Sequence, residues 1–263
     1  MSQALTSARR LAHLLVKLMP VAGAMISPVL ATPLNDSGLS ACYDASGSLA
    51  CNGIAGDADS YPRQDGRYGR DAAQGASVLV KEGNGGSGFD FSKIANDGSG
   101  VAPSTPLGTG ATDWACTRDN ITGLTWEVKT LNPGPRLNTE AVVWYSTQST
   151  TNGGYAGTSV GGGCSHVTNC NSEQYVSQVN TAGLCGHNDW RLPTPAELRG
   201  IANMSQSGSG VSDSVYFPNM QSSFYLTATT SAVSNTNAVI VNFGTGSISS
   251  QTKSSTGYVI LVR

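Results

Sequence analysis

Residues 186–200, GHNDWRLPTPAELRG, decide how this chain can fold. Thr194 carries a hydroxyl able to cap a helix, Pro195 suits the first helical position, and Glu197 stands three residues after Thr194, completing a capping box. A helix therefore starts at Pro195 and turns Leu198 and Ile201 inward. The approach through Asp189, Trp190, Arg191 and Leu192 is non-helical, and Trp190 is a large amphipathic side chain whose N–H needs a partner. Arg191, between Trp190 and Leu192, is expected to tie down a loop carbonyl or carboxylate. The stretch reads as scaffold before it reads as an active site.

Working outward, a strand is predicted from Trp114 through Thr117, a turn at Asp119-Asn120, and a second strand with Leu124, Trp126 and Val128 on one face. Residues 140–145 suit one short element. A helix is predicted over 172–180, with Ser172 as its cap, Tyr175, Val176 and Val179 sharing a face, and Gly183 as its stop. Strands at 224–229, 238–243 and 258–262 complete an antiparallel sheet. Val239, Val241 and Phe243 alternate there, and Tyr258, Val259, Leu261 and Val262 end the chain on a buried strand.

Several of these segments occur in a recognisable order: Asp113-Trp114-Ala115-Cys116-Thr117-Arg118-Asp119, Thr122-Gly123-Leu124-Thr125-Trp126, Gly183-Leu184-Cys185-Gly186, Asp189-Trp190-Arg191-Leu192-Pro193-Thr194, and a closing Tyr258-Val259-Ile260-Leu261-Val262-Arg263. In this the chain resembles the C-terminal domain of the Legionella collagen-like adhesin, a family of secreted bacterial proteins, from about residue 113 to 263 and more weakly upstream. The resemblance implies an α+β, C-type-lectin-like (formylglycine-generating-enzyme-like) domain with two short helices, antiparallel strands, long loops and a C-terminal display surface. The cysteine and copper chemistry of formylglycine-generating enzymes does not carry over, because no cysteine follows Cys185.

Composition bounds the compartment and the partners. The 263 residues are only 12% charged, with a formal net charge of −2 and 32 glycines, so the chain is loop-rich and lacks the basic excess that a nucleic-acid backbone attracts. Arg9, Arg10 and Lys17 precede an apolar run that ends at Leu30-Ala31; residues 1–31 read as a signal peptide cleaved after Ala31. That run is too short to span a bilayer, so no stable membrane span is expected in the mature chain. The residues after Arg9-Arg10 fit a twin-arginine signal poorly. Residues 32–112 form a Gly/Ser/Asp-rich extension, in which residues 88–94 alternate like a short strand and 98–110 look like a linker. Residues 113–263 form the ligand-binding domain.

An even set of cysteines in an exported chain points to disulfides, not metal thiolates. Sequence leaves many pairings of Cys42, Cys51, Cys116, Cys164, Cys170 and Cys185 open, although proximity favours Cys42 with Cys51 and Cys164 with Cys170, leaving Cys116 for Cys185. No cofactor is required. Calcium is the one metal that the loop carboxylates Asp57, Asp59, Asp65 and Asp71 suit, but their spacing matches no EF-hand, and Arg63, Arg67 and Arg70 are alternative partners. No HExxH or P-loop pattern is present. His187 reads as a loop residue and His166 as a polar group between two cysteines, so no enzyme is expected.

Over half of residues 227–257 are Ser, Thr or Asn, and Lys253 is their only charge. Relatives in the resembling family place Trp-Ser-Ser where this chain has Leu226-Thr227-Ala228-Thr229 after Tyr225, and an arginine where it has Ile260. In several lectin-like proteins a retroelement randomises adenines in asparagine codons, scattering such residue types over a fixed scaffold. The candidate ligand-binding residues are accordingly Tyr225, Leu226, Thr227, Thr229, Ser231, Ser234, Asn235, Asn237, Ile240, Asn242, Thr245, Ser247, Ser249, Ser250, Thr252, Ser254, Ser255 and Ile260. The expected function is an exported, non-enzymatic receptor or adhesin for a protein or glycan at a cell surface. A polysaccharide-binding adhesin is the alternative, weakened by the missing basic face; an enzyme with an unrecognised site is the third class.

Overall fold

The computed structural model describes residues 35–44, 46–49, 51, 64–74, 78–206 and 210–263. The expected signal peptide lies outside them, as do Asp57, Asp59 and Arg63. Strands β1 (Cys42–Asp44) and β2 (Gly47–Leu49) form a hairpin, followed by short helices α1 (Asp65–Tyr68) and α2 (Arg70–Gln74). Next come β3 (Phe91–Ala95), β4 (Gly100–Val101), β5 (Trp114–Asp119) and β6 (Thr125–Glu127), which make a four-stranded sheet in the order β4-β3-β5-β6. The last group is β7 (Ala141–Val143), α3 (Ser172–Ala182), α4 (Pro195–Gly200), β8 (Phe224–Thr230), β9 (Asn237–Asn242), β10 (Ile248–Thr252) and β11 (Thr256–Tyr258). Its strands form a five-stranded sheet in the order β10-β9-β8-β11-β7. The architecture is mixed α+β, and among the described residues no helix is long and apolar enough to cross a membrane.

The residues upstream of 113 are built into this architecture. β3 pairs antiparallel with β5, placing Phe91 opposite Asp119 and Ile94 opposite Cys116, while Phe89 and Phe91 stack and are buried. The segment 98–110, expected as a linker, supplies β4 and a bridge from Leu107 to Trp114.

The capping box at α4 is complete: the Thr194 hydroxyl accepts from the Glu197 N–H at 3.2 Å, and the Glu197 carboxylate accepts from the Thr194 N–H at 2.7 Å. The Trp190 indole donates to the Leu184 carbonyl, and Leu198 and Ile201 are buried. At α3 the cap is Asn171, whose side chain accepts from Gln174 N–H, and not the expected Ser172. Ser172 is turned away because its hydroxyl both accepts from the Tyr145 N–H and donates to the Tyr145 carbonyl, each at 2.9 Å. Gly183 ends α3 in the left-handed conformation, φ 65°, which glycine adopts without the steric cost of a Cβ.

Three disulfides join Cys42 to Cys51, Cys116 to Cys185 and Cys164 to Cys170. The middle one closes the longest loop, with a sequence separation of 69, and ties β5 to the turn before Trp190. Such a set of bonds belongs to an oxidising, non-cytoplasmic compartment.

The C-terminal residues join the two sheets. Val262 and Arg191 exchange both backbone hydrogen bonds, and residues 261–263 bond to β6 through Glu127 and Thr125. Val259 and Leu261 enter one hydrophobic core with Trp144, Tyr175, Leu226 and Ile240. Ile260 and Val262 enter the other, with Trp126, Leu198, Phe217 and Tyr225. Alternating side chains thus feed opposite cores, although the strand expected over 258–262 is confined to β11, ending at Tyr258, with isolated bridges at Val262. The expected all-antiparallel sheet is corrected at one contact: β11 runs parallel to β8, with Tyr258 opposite Tyr225.

The Glu127 carboxylate is buried against the first of these cores. It accepts from the Leu261 N–H at 2.9 Å, from the Tyr175 hydroxyl and from Lys129 Nζ at 3.3 Å, and all three side chains are buried. Burial, followed by the neighbouring Glu127 charge, pushes the Tyr175 phenol well above its ordinary range, so Tyr175 stays a donor. Burial lowers the Lys129 ammonium, opposed by Glu127. Glu127→Ala is expected to cost about 3–5 kcal/mol, since it strands a buried ammonium; urea denaturation of the oxidised protein measures it, and a loss below about 1 kcal/mol contradicts this role.

Candidate functional site

The expected binding residues separate into three groups by burial. Tyr225, Leu226, Thr227, Ser231, Ile240 and Ile260 are buried. Their removal from the expected surface has a physical reason: the five-stranded sheet is covered on both faces here, so alternation sends Leu226 and Ile240 into one core and Tyr225 and Ile260 into the other. Thr227 donates to the Val239 carbonyl at 2.7 Å, and Ser231 accepts from the Val233 N–H. These hydroxyls complete the local backbone bonding of β8 and its turn. Thr229, Ser234, Asn237 and Asn242 are half-buried. Asn235, Thr245, Ser247, Ser249, Ser250, Thr252, Ser254 and Ser255 are exposed.

The exposed group is organised by short polar contacts. Thr245 pairs with Ser247 and Thr252 with Ser255, each hydroxyl pair at 2.8 Å, while the Asn242 side chain accepts from the Gly244 N–H. β10 was not expected as a strand, because Ile248-Ser249-Ser250-Gln251-Thr252 lacks apolar alternation. It nevertheless pairs along its length with β9 at the sheet edge, where it needs no buried face. The hydroxyls of Ser249 and Ser250 have no hydrogen-bond partner among the described residues.

Lys253, the one charge in the segment, is fully buried. Its Nζ donates to the Asn152 carbonyl at 2.8 Å and the Tyr155 carbonyl at 2.7 Å, and stands 4.1 Å from the Trp144 ring centroid. Burial lowers its pKa. With the Thr230 hydroxyl on the Thr151 carbonyl and the Asn235 amide on the Gly153 carbonyl, it locks the loop 146–157 against the β8–β9 hairpin. Sequence marked Lys253 as an isolated charge but held no signal for partners about 100 residues away.

A cleft of about 670 Å³ opens beside this lock. Trp144, Val176, Leu192 and Ala228 supply its apolar walls, and Glu173 and Arg191 stand among its polar lining. Arg191 makes a two-pronged contact with Glu197, 2.7 and 2.9 Å, and Glu173 accepts from the Thr147 N–H and hydroxyl. Burial alone would raise Glu197, but the Arg191 guanidinium and the Thr194 N–H outweigh it and hold the carboxyl below its ordinary value of 4.5.

The chain belongs to the Lcl C-terminal domain family. The family model matches residues 115–263. Comparisons with curated proteins and with solved structures find no match. The matched Lcl C-terminal domain starts inside β5, so β3 and β4 complete its first sheet from outside the matched region.

The other candidates remain apart. His166 lies between Cys164 and Cys170 with its Nδ1 2.9 Å from Glu140, which also accepts from the Ser165 and His166 N–H groups. Asp65 accepts from the Ser37 hydroxyl, and Asp71 from the Ala72 N–H. Among the described residues no three His, Cys, Asp or Glu side chains are grouped as a metal would need; the calcium reading also involved Asp57 and Asp59, which lie outside them.

Lys253→Met is expected to destabilise by about 1–3 kcal/mol, by leaving two loop carbonyls without their donor, and to increase amide exchange across residues 152–155; unchanged exchange there contradicts the lock. Because the folded Glu197 pKa is depressed, its stabilisation is present above pH 4.5 and is lost as pH falls through the folded value. The stability gap between the natural chain and Glu197→Gln should therefore be largest near neutrality, on the order of 1 kcal/mol or less for this partly exposed pair, and close on acidification. Parallel denaturation midpoints at pH 7 and pH 3 check it.

Proposed function

We propose that this chain is an exported, non-enzymatic ligand-binding protein with a C-type-lectin-like scaffold, acting as a receptor or adhesin for a protein at a cell surface. The observation that carries the reading is the exposed, uncharged polar edge running from Asn235 through β10 to Ser255, fixed to a sheet buried on both faces. Short hydroxyl and amide side chains contribute hydrogen bonds at small entropic cost. The supporting strands hold their geometry whatever occupies the exposed positions.

Lack of charge favours a partner recognised without ionic contacts. The segment 227–257 has one charge, Lys253, and that ammonium is committed to Asn152 and Tyr155. Binding to an array of surface proteins and glycans is therefore expected to change little across a tenfold range of salt. A steep salt dependence, together with capture of sulfated polysaccharide, overturns the protein-receptor reading in favour of the polysaccharide adhesin.

Retroelement diversification belongs to the same proposal. It predicts a near-repeat of the final codons downstream, differing where the repeat has adenines, with substitutions concentrated at exposed positions such as Ser249 and Ser250 and absent from Leu226, Ile240 and Ile260. Sequencing the locus decides it. Ser249→Lys with Ser250→Lys is expected to lower partner capture about tenfold without lowering the thermal midpoint.

A further inference from the structure

The exposed edge around β10 is poor in the aromatic anchors that dominate protein interfaces. Beside it lies a cleft of the opposite character. It is bordered by the start of α3, the loop after Trp144, the turn 191–194 and β8 at Ala228, and its volume of about 670 Å³ falls in the range of formed ligand sites. Register between β8 and β9 shifts between Leu226 and Thr230, and the Ala228 N–H leaves the ladder for the Pro193 carbonyl. Such bulges turn a strand away from its neighbour and re-aim its side chains.

Several of the polar groups lining the cleft are committed within the protein. The Trp144 indole donates to the Thr227 carbonyl at 2.9 Å, and the Ser172 hydroxyl is saturated by both backbone groups of Tyr145. Arg191 and Thr194 are held by Glu197, and Glu173 by Thr147. A charged ligand would have to break an existing pair. An apolar group meets Val176, Leu192 and Ala228, half-buried carbon surfaces already partly withdrawn from water.

We propose that this cleft is the anchor pocket for a protein partner, receiving one uncharged aromatic or branched aliphatic side chain from an exposed loop of that partner. This rests on the receptor reading and adds to it the chemistry of the contact. The cleft adjoins the expected binding surface: Thr151 lines it and accepts from Thr230, and Asn235 bonds to Gly153 two residues farther on. One partner loop can fill the pocket while its flanks meet the hydroxyl-rich edge.

The test is a titration of the isotope-labelled, oxidised chain with N-acetyl-phenylalaninamide and N-acetyl-leucinamide, followed by amide chemical shifts. N-acetyl-glutamate amide and methyl mannoside are the comparisons. The neutral side-chain analogues are expected to bind saturably at about millimolar strength, with shifts at Val176, Leu192 and Ala228. Ala228→Leu should weaken them about tenfold at an unchanged thermal midpoint; Val176→Phe serves if that variant does not fold. No saturable shift at these residues overturns the proposal, as does equal binding of the charged amide or the mannoside. Partner capture separates the two levels: capture lost in the Ser249→Lys, Ser250→Lys chain but unaffected by Ala228→Leu refutes the pocket alone. Fragment binding without capture of any surface protein leaves the pocket standing and refutes the receptor reading.

Discussion

The fold depends on the docking of its last five residues, which lie between β6 and the segment around Arg191. Val259 through Val262 are fully buried; Leu261 is answered by the Glu127 backbone and carboxylate, Val262 by Arg191, and Arg263 by Thr125. Because their side chains alternate between two cores, neither core is complete until the C-terminus is in place. The Glu127 carboxylate makes that docking selective, since it must satisfy Tyr175 from α3, Lys129 beside it and Leu261 at once. A buried charge of this kind is costly unless fully partnered, so near-miss arrangements of the C-terminal segment are penalised.

That closure explains why the polar segment can be polar. β8 and β9 are anchored by Tyr225, Leu226, Ile240 and Val241, which are covered on both sides, so the edge strand β10 needs only backbone pairing to stay in place. Lys253 supplies the second constraint, fixing the loop 152–155 through two carbonyls and the Trp144 ring. The cleft beside Ala228 follows from both: one wall is the sheet, another the locked loop, and the Arg191–Glu197 pair holds the remaining side.

Much of the framework was legible because its signals are local. The Thr194–Glu197 box, the Gly183 stop, Trp190 with its indole N–H satisfied, the two cysteine pairs favoured by proximity and the third that they leave all appear in the structure. The binding surface was legible only in part. Composition marks residues 227–257 as unusual, yet it cannot distinguish Thr227, spent on a bulge, from Ser250, open to solvent. Tyr225, Leu226, Ile240 and Ile260 are named as binding positions by residue type and by departure from the family pattern, and neither signal says which positions the sheet buries.

The sequence by itself determined the family, the capped α4 helix, the disulfide-bearing α+β class and the uncharged character of the C-terminal segment, since each rests on residues close in sequence or on simple composition. Tertiary structure alone decided which of the candidate residues reach solvent, how residues before 113 complete the first sheet, and where the cleft lies. Those outcomes depend on contacts between segments far apart in sequence, such as Lys253 with Asn152 and Arg191 with Val262. No local pattern encodes them: a strand presents the same alternation whether one face or both will be covered.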